Sequence, residues 1–230
     1  MRRLLLSNTL NTRDLGGYPT GTGGCTCFSR FLRSDLPYAL TDADASRLIG
    51  MGITTVVDLR STRETEQAPS FFENREGFAY RHCPLHGNGK RPADEKDIPA
   101  SYLNLLADSS VLFDIMKIFA DAECGVLFHC TAGKDRTGVI AALLLSLAGV
   151  PLPDILADYQ ISYTYIRPMV ERLRAADPSF PRWAGQSKPE YMAAFLSAFC
   201  EKYQSVAQYL TGLGLSRRDI VKIKSKLISC

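Results

Sequence analysis

The sequence predicts an α/β fold, with a mostly parallel central sheet flanked by helices and a helical lid-like insertion late in the chain. Three observations predict it. The runs TTVVDLR (residues 54–60) and GVLFHC (125–130) are short, apolar and rich in β-branched or aromatic residues, as strands buried on both faces are. Segments of helical period lie between and behind them, so strands alternate with helices. From residue 152 onward no further strand signal occurs, and the pattern is helical to the end.

The elements follow in order. RDLGGYPTGTGG (13–24) is rich in turn residues and predicts a hairpin or tight loop near the surface. Residues 40–53 predict a helix capped by Thr41, with Leu48, Ile49 and Met51 on one side. A buried strand follows at 54–60, and a weaker one over 78–87 that ends at Pro84. RPADEKDIPA reads as a polar loop, and the stretch after it as helix broken near Asp108. The strand at 125–130 leads into a buried helix over 137–148. The helical remainder is expected to break at Pro168, within DPSFPRWAGQSKP and at GLGLS. No repeat or linker divides the chain, which predicts one domain over 1–230, with 152–200 a helical lid or appendage inside it.

Of the 230 residues, 46% are hydrophobic and 22% charged, which excludes intrinsic disorder. A net charge of +3 is too mild to imply nucleic-acid binding, although it suits an anionic substrate. The N-terminal apolar residues are interrupted too early for a signal peptide. The apolar run at 139–150 is shorter than the about 20 residues a membrane span needs, so no stable membrane insertion is expected. Seven cysteines without framework spacing predict free thiols and a cytoplasmic location, though export without a signal peptide would leave no trace here. Cys25 and Cys27 enclose too small a ring to bridge; Cys83 and Cys124 are candidates to trap Cys130 as a reversible disulfide, with core packing the plainer role. His82, Cys83 and His86 sit too close on one extended segment to converge on a metal.

The chemistry concentrates in HCTAGKDRTG (129–138). Read as strand, loop and helix, it delivers Cys130 at the carboxyl end of a strand. Gly133 is free to adopt a strained conformation, and a helix N-terminus lies directly behind. That terminus presents unpaired N–H groups and the positive end of a dipole, so it favours an anion. Amides of Thr131, Ala132 and Gly133 and the fork of Arg136 suit a tetrahedral phosphate. The same field is expected to depress the Cys130 thiol from about 8.5 into the range of about 3.5–7.5. His129 is expected to orient the loop, and Thr137 to donate its hydroxyl to the sulfur. A nucleotide-binding phosphate loop is excluded, because Gly133-Lys134 is followed by Asp135 rather than Ser or Thr.

Cysteine, five residues, arginine, with glycine third of the five, resembles the signature of the cysteine-dependent protein tyrosine phosphatases. The Lys134–Asp135 pair is similar to the bacterial subgroup related to phosphoinositide phosphatases. The blocks NTRDLGGYPT, FLRSDLPYALTDAD, GITTVVDLRSTRE, HCPL and YMAAFLSAFCEKYQSVAQYLTGLGLS resemble that subgroup in order, over nearly the whole chain. The resemblance implies a tyrosine-phosphatase-type fold and hydrolysis of phosphotyrosine monoesters, with phosphoserine and phosphothreonine as further substrates. It implies a phosphocysteine intermediate on Cys130 and no metal or organic cofactor. The alternatives are a phosphoinositide phosphatase and, against the intact Cys130, Asp135 and Arg136, a silent phosphate-binding module. The expected partner is a phosphorylated protein or a phosphoinositide, with no nucleic acid; nothing in the sequence sets an oligomeric state.

The general acid has three candidates, because the Trp-Pro-Asp loop of the large tyrosine phosphatases is absent: Trp183 precedes Ala-Gly, and Pro84 precedes Leu-His-Gly. Asp135 ranks first, as the resemblance implies. Asp58 is second, with a structural ion pair to a neighbouring arginine as its alternative. The run Asp94, Glu95, Asp97 is third, and a solvated surface is its plainer reading. Lys134 is the expected substrate selector, helped by Arg13, Arg60 or Arg63 unless these pair at the surface with Asp14, Asp58 and Glu64.

Overall fold

A computed structural model describes residues 2–87, 89 and 92–228. Five strands form one sheet: β1 (Arg13–Asp14), β2 (Phe31–Ser34), β3 (Ile53–Asp58), β4 (Ala79–His82) and β5 (Gly125–His129). Their order is β1-β2-β5-β3-β4, parallel except for the antiparallel β1–β2 pair. The last strand in sequence thus lies in the middle, with Phe128 opposite Arg33 on one side and Val57 on the other. Its carboxyl end, where the 129–138 segment begins, opens at the centre of the sheet edge.

Side-chain alternation divides the core in two. Leu32, Val56 and Leu127 face one side, where they meet Leu48 of α1 (Asp42–Gly50) and Phe72. Phe31, Val57, Val126 and Phe128 face the other and join the larger core. Between β3 and β5 come α2 (Thr62–Gln67), α3 (Ile98–Leu105) and α4 (Ser109–Asp121). After β5 the chain is helical: α5 (Asp135–Leu147), α6 (Leu152–Ala176), α7 (Pro189–Tyr203), α8 (Val206–Gly212) and α9 (Arg217–Ile228). α5 is buried on nearly every side from Thr137 to Leu147, as an apolar helix under a layer of others must be.

Several boundaries follow the expectations: the Thr41 cap, a capping box with Asp44; the break before Ser109; and the breaks after Ala176 and Gly212. Others depart from them. α6 runs through Pro168 without interruption, since Ile166 and Val170 on either side are buried and hold the helix across the missing hydrogen bond. Ile49 is 44% exposed, because Ala45 and Leu48 form the buried stripe of α1. The polar 91–100 segment already contains a 3₁₀ turn at Glu95–Asp97 and the start of α3.

The turn-rich 13–24 stretch does fold back on itself, with Pro19 bridging Cys25, but Arg13, Asp14 and Leu15 are buried as the sheet's antiparallel edge. Cys25, Cys83, Cys124, Cys130 and Cys200 are free thiols; Cys27 is not among them. Cys124 precedes β5 and Cys130 follows it, so the strand's whole length separates them. Cys83 opens into a separate cavity of about 490 Å³ with Asp114 and Lys117. Neither is placed to bridge Cys130.

Candidate active site

The loop after β5 is shaped from behind, through its carbonyl oxygens. His129 Nδ1 lies 3.3 Å from the Cys130 oxygen, and Leu36 N–H donates to that of Thr131 at 3.1 Å. Asn11 Nδ2 donates to the oxygens of Ala132 and Gly133, both at 3.0 Å. Arg33 Nη2 donates to Gly133 O at 2.7 Å. Four successive carbonyls are therefore held outward. Among the described residues the N–H groups of Thr131 to Arg136 meet no acceptor, which leaves a row of donors on the loop's other face. Gly133 makes the turn with φ +65°, and a Cβ there would lie 2.6 Å from the backbone of Ser34 and Asp35.

The donors that shape the loop are themselves fixed. Asp35, buried, accepts from Leu10 N–H at 2.8 Å and Asn11 N–H at 2.9 Å, which sets the reach of the Asn11 side chain. Asp158 of α6 receives Arg13 Nε at 2.8 Å, Arg33 Nη1 and Tyr18 OH at 3.0 Å. Burial disfavours the Asp158 charge, yet the two guanidinium groups overcome that and hold its carboxyl below the usual range. Burial, with Arg13 beside it, brings Arg33 down to about 10. Arg13 is thus spent on Asp158 and cannot serve as the surface partner of Asp14 or as a substrate ligand.

Cys130 is buried, and its sulfur lies close enough to Arg136 for a thiolate to favour the guanidinium charge. Arg136 meets Glu64 fork to fork, with Nη1 2.7 Å from Oε2 and Nη2 2.7 Å from Oε1. The contact occupies the end of the guanidinium and leaves Nε–H free to point elsewhere. Glu64 also accepts from Thr131 Oγ1 at 2.5 Å, and completes a capping box on Ser61 at the start of α2. Burial would raise the Glu64 carboxyl, but Arg136 and Thr131 keep it well below the ordinary range. Thr137 is fully buried, and its Oγ1 has no partner among the described residues.

Asp135 opens α5 with its side chain about half exposed. Its Oδ1 accepts from Tyr102 OH at 2.5 Å and lies 3.1 Å from Lys134 Nζ. Lys134 itself is buried and donates to Gln186 O at 2.8 Å. Both residues, with Arg136, line a cleft of about 950 Å³. Its walls are Leu105, Ile98 and Tyr102 on one side, and Phe180, Pro181 and Trp183 from the α6–α7 loop on another. α6 and α7 bury Ile155, Tyr159, Tyr191 and Phe195 in the larger core, so the connecting loop is the part of that region that borders the cleft.

The other two acid candidates lie outside the cleft lining. Asp58 is fully buried and lies outside the cleft lining, because Arg60 grips both its oxygens and Tyr80 OH donates to it at 2.9 Å. Asp58 forms the structural ion pair with its neighbouring arginine, and Arg60 is spent on it. Glu95 stays at the partly exposed surface, where it meets Lys188 and Tyr191 at the foot of α7, in keeping with a solvated run. His129, also fully buried, is pushed down to about 4 by burial, against the pull of Asp58. Asn11, Arg33, Asp158, Tyr102 and Tyr159 go unassigned in the sequence, and Glu64, expected at the surface with Arg63, holds Arg136 instead, although Asn11, Arg33 and Glu64 stand in blocks that carry the resemblance.

A model of the tyrosine phosphatase family matches residues 4–229. A tyrosine-protein phosphatase of Nostoc commune is 33% identical over 210 residues, which cover 82% of this chain and 70% of that protein. The triple specificity protein phosphatase PtpB of Mycobacterium tuberculosis is 24% identical over 253 residues, 86% of this chain and 91% of its own. The crystal structure of TpbA from P. aeruginosa aligns at 21% identity over 66% of this chain and 88% of its own, with a TM-score of 0.34. A match from residue 4 to residue 229, on a chain whose central strand carries HCTAGKDRTG, places this protein in the tyrosine phosphatase family.

Proposed function

We propose that the chain hydrolyses phosphotyrosyl monoesters through a phosphocysteine intermediate at Cys130. The observation that carries this reading is the loop whose four carbonyls are held by outside donors, which leaves its amide N–H groups without acceptors, among the described residues, between Cys130 and Arg136. The Cys130 thiolate attacks phosphorus; the S–P bond forms, the P–O(aryl) bond breaks, and the departing oxygen takes a proton from Asp135. Water then attacks phosphorus and gives its proton to the Asp135 carboxylate, and the P–S bond breaks to restore the thiolate. Thr137, with its uncommitted hydroxyl, supports the thiolate in both steps.

The apolar walls from Ile98, Leu105, Phe180 and Trp183 suit an aryl ring. Among the described residues, the cleft-lining cations are Arg63, Lys134 and Arg136. Two of them are already paired with Asp135 and Glu64, a poor endowment for a head group bearing several phosphates. The name of the mycobacterial relative, a triple specificity protein phosphatase, supports trying more than one class of substrate.

The test is turnover of a phosphotyrosine peptide, a phosphoserine peptide and a phosphoinositide panel by wild type and Cys130→Ser. Metal-independent release from the phosphotyrosine peptide, lost in Cys130→Ser by at least about 10³-fold, is expected. Faster release from a phosphoinositide would reassign the substrate, and no turnover of any would end the enzymatic reading.

A further inference from the structure

We infer that Tyr102, backed by Tyr159, is a positioning residue that assigns the transferable proton of Asp135 to Oδ2; this rests on Asp135 being the acid. A carboxyl group can carry its proton on either oxygen, and only the one aimed at the leaving group is productive. Here the two oxygens are not equivalent. Oδ1 accepts from Tyr102 OH at 2.5 Å and faces Lys134 Nζ at 3.1 Å. Oδ2 meets no donor among the described residues, on a side chain about half open to the cleft. A proton on Oδ1 would meet the hydroxyl hydrogen of Tyr102 and the nearby Lys134 charge, so it resides on Oδ2.

With Asp135 ionised and able only to accept, counting hydrogens fixes the direction of the tyrosine hydrogen bond. Tyr102 has one hydroxyl hydrogen and gives it to Asp135, so in its 2.6 Å contact with Tyr159 OH it accepts. The order is Tyr159 to Tyr102 to Asp135, each bond strengthening the next. Both phenols are buried, which with the Asp135 charge raises them well above the ordinary range, so they stay protonated donors. Their rings cannot drift. Tyr102 packs edge-on against Tyr159 and Phe195, each 6.1 Å away, and Tyr159 lies against Gly138, where a Cβ would come within 3.2 Å of its ring. The other charges around the pair are accounted for: Arg136 is on Glu64, Arg33 is on Asp158, and Tyr191 is on Glu95.

After the proton leaves, Tyr102 remains directed at Oδ1, with the Lys134 charge beside it, while Oδ2 is ready to accept a proton from water. One residue thereby serves both half-reactions without reorienting its acid.

The experiment is a leaving-group series. kcat/KM reports the step in which the aryl oxygen departs, so it is measured on aryl phosphates whose phenols span a range of acidity, for wild type, Tyr102→Phe, Tyr159→Phe, Asp135→Asn and the Tyr102→Phe/Asp135→Asn double variant. Without a proton donor, the rate falls more steeply as the leaving phenol becomes more basic. Asp135→Asn is expected to steepen the dependence most, and Tyr102→Phe to steepen it in the same direction, losing about tenfold or more on phenyl phosphate relative to 4-nitrophenyl phosphate. Tyr159→Phe should do so less. The double variant should match Asp135→Asn alone. If Asp135→Asn steepens the slope and Tyr102→Phe does not, the positioning role is overturned while the acid stands. If Asp135→Asn leaves the slope unchanged, the acid assignment fails and the inference falls with it. A Tyr102→Phe loss that is uniform across the series, as a merely structural role would give, also overturns it.

Discussion

Gly133 shows most directly how single residues set the chemistry. Its φ of +65° and the 2.6 Å approach of a hypothetical Cβ to Ser34 and Asp35 leave no room for a side chain. Gly133→Ala would impose about 1–3 kcal/mol of backbone strain besides the clash. We expect phosphotyrosine turnover to fall by more than tenfold while the far-ultraviolet dichroism stays native; an active Gly133→Ala enzyme would contradict the close packing of the loop on β2. At this scale the sequence reads well where the parts are neighbours. Cys130, Gly133, Asp135 and Arg136 fall within seven positions of one another, so spacing alone exposes them. Glu64 stands 72 positions from Arg136 and Tyr102 33 from Asp135, and no local pattern ties such pairs. Asp58 and Arg60, two positions apart, offer an acid in sequence and resolve as a closed pair once burial is seen.

At the scale of elements, α6 is joined to the loop by charge as well as by packing. Asp158 carries Arg33, and Arg33 carries the Gly133 carbonyl. Asp158→Asn keeps the shape but strands two buried guanidinium groups without a counter-charge. The expected cost is about 3–5 kcal/mol in urea unfolding, with catalytic loss even where the variant is fully folded. A change below about 1 kcal/mol would mean that the surrounding carbonyls suffice. Periodicity identified these helices and most of their ends, because capping and turn residues are local signals. It misjudged Pro168, where buried neighbours outweigh a missing hydrogen bond, and Ile49, whose exposure depends on which face meets the sheet. Strand order was out of reach, since inserting β5 between β2 and β3 is decided by helices packing on both faces.

For the whole molecule, acid stability should be governed first by His129. Its ordinary value of 6.5 falls to about 4 in the fold, where burial outweighs Asp58. Above pH 6.5 it is neutral in both states and its contribution is complete. As pH drops from 6.5 to 4, the unfolded chain binds a proton that the folded one refuses, so stability declines by roughly 3 kcal/mol from this group. Glu64 and Asp158, both held below the usual carboxylate range, add their losses at lower pH. Urea midpoints measured from pH 7 to pH 4 should fall steadily in wild type and more shallowly in His129→Asn. Parallel curves would remove His129 from this role.

The link from Asp158 through Arg33 to Gly133 also sets an order in time. A ribosome delivers β5 and Cys130 before α6, so the newly made loop lacks the carboxylate that steadies its shape. The loop therefore takes its final shape only after residue 158 has emerged and docked, and the Cys130 thiol is made ahead of the fold that surrounds it.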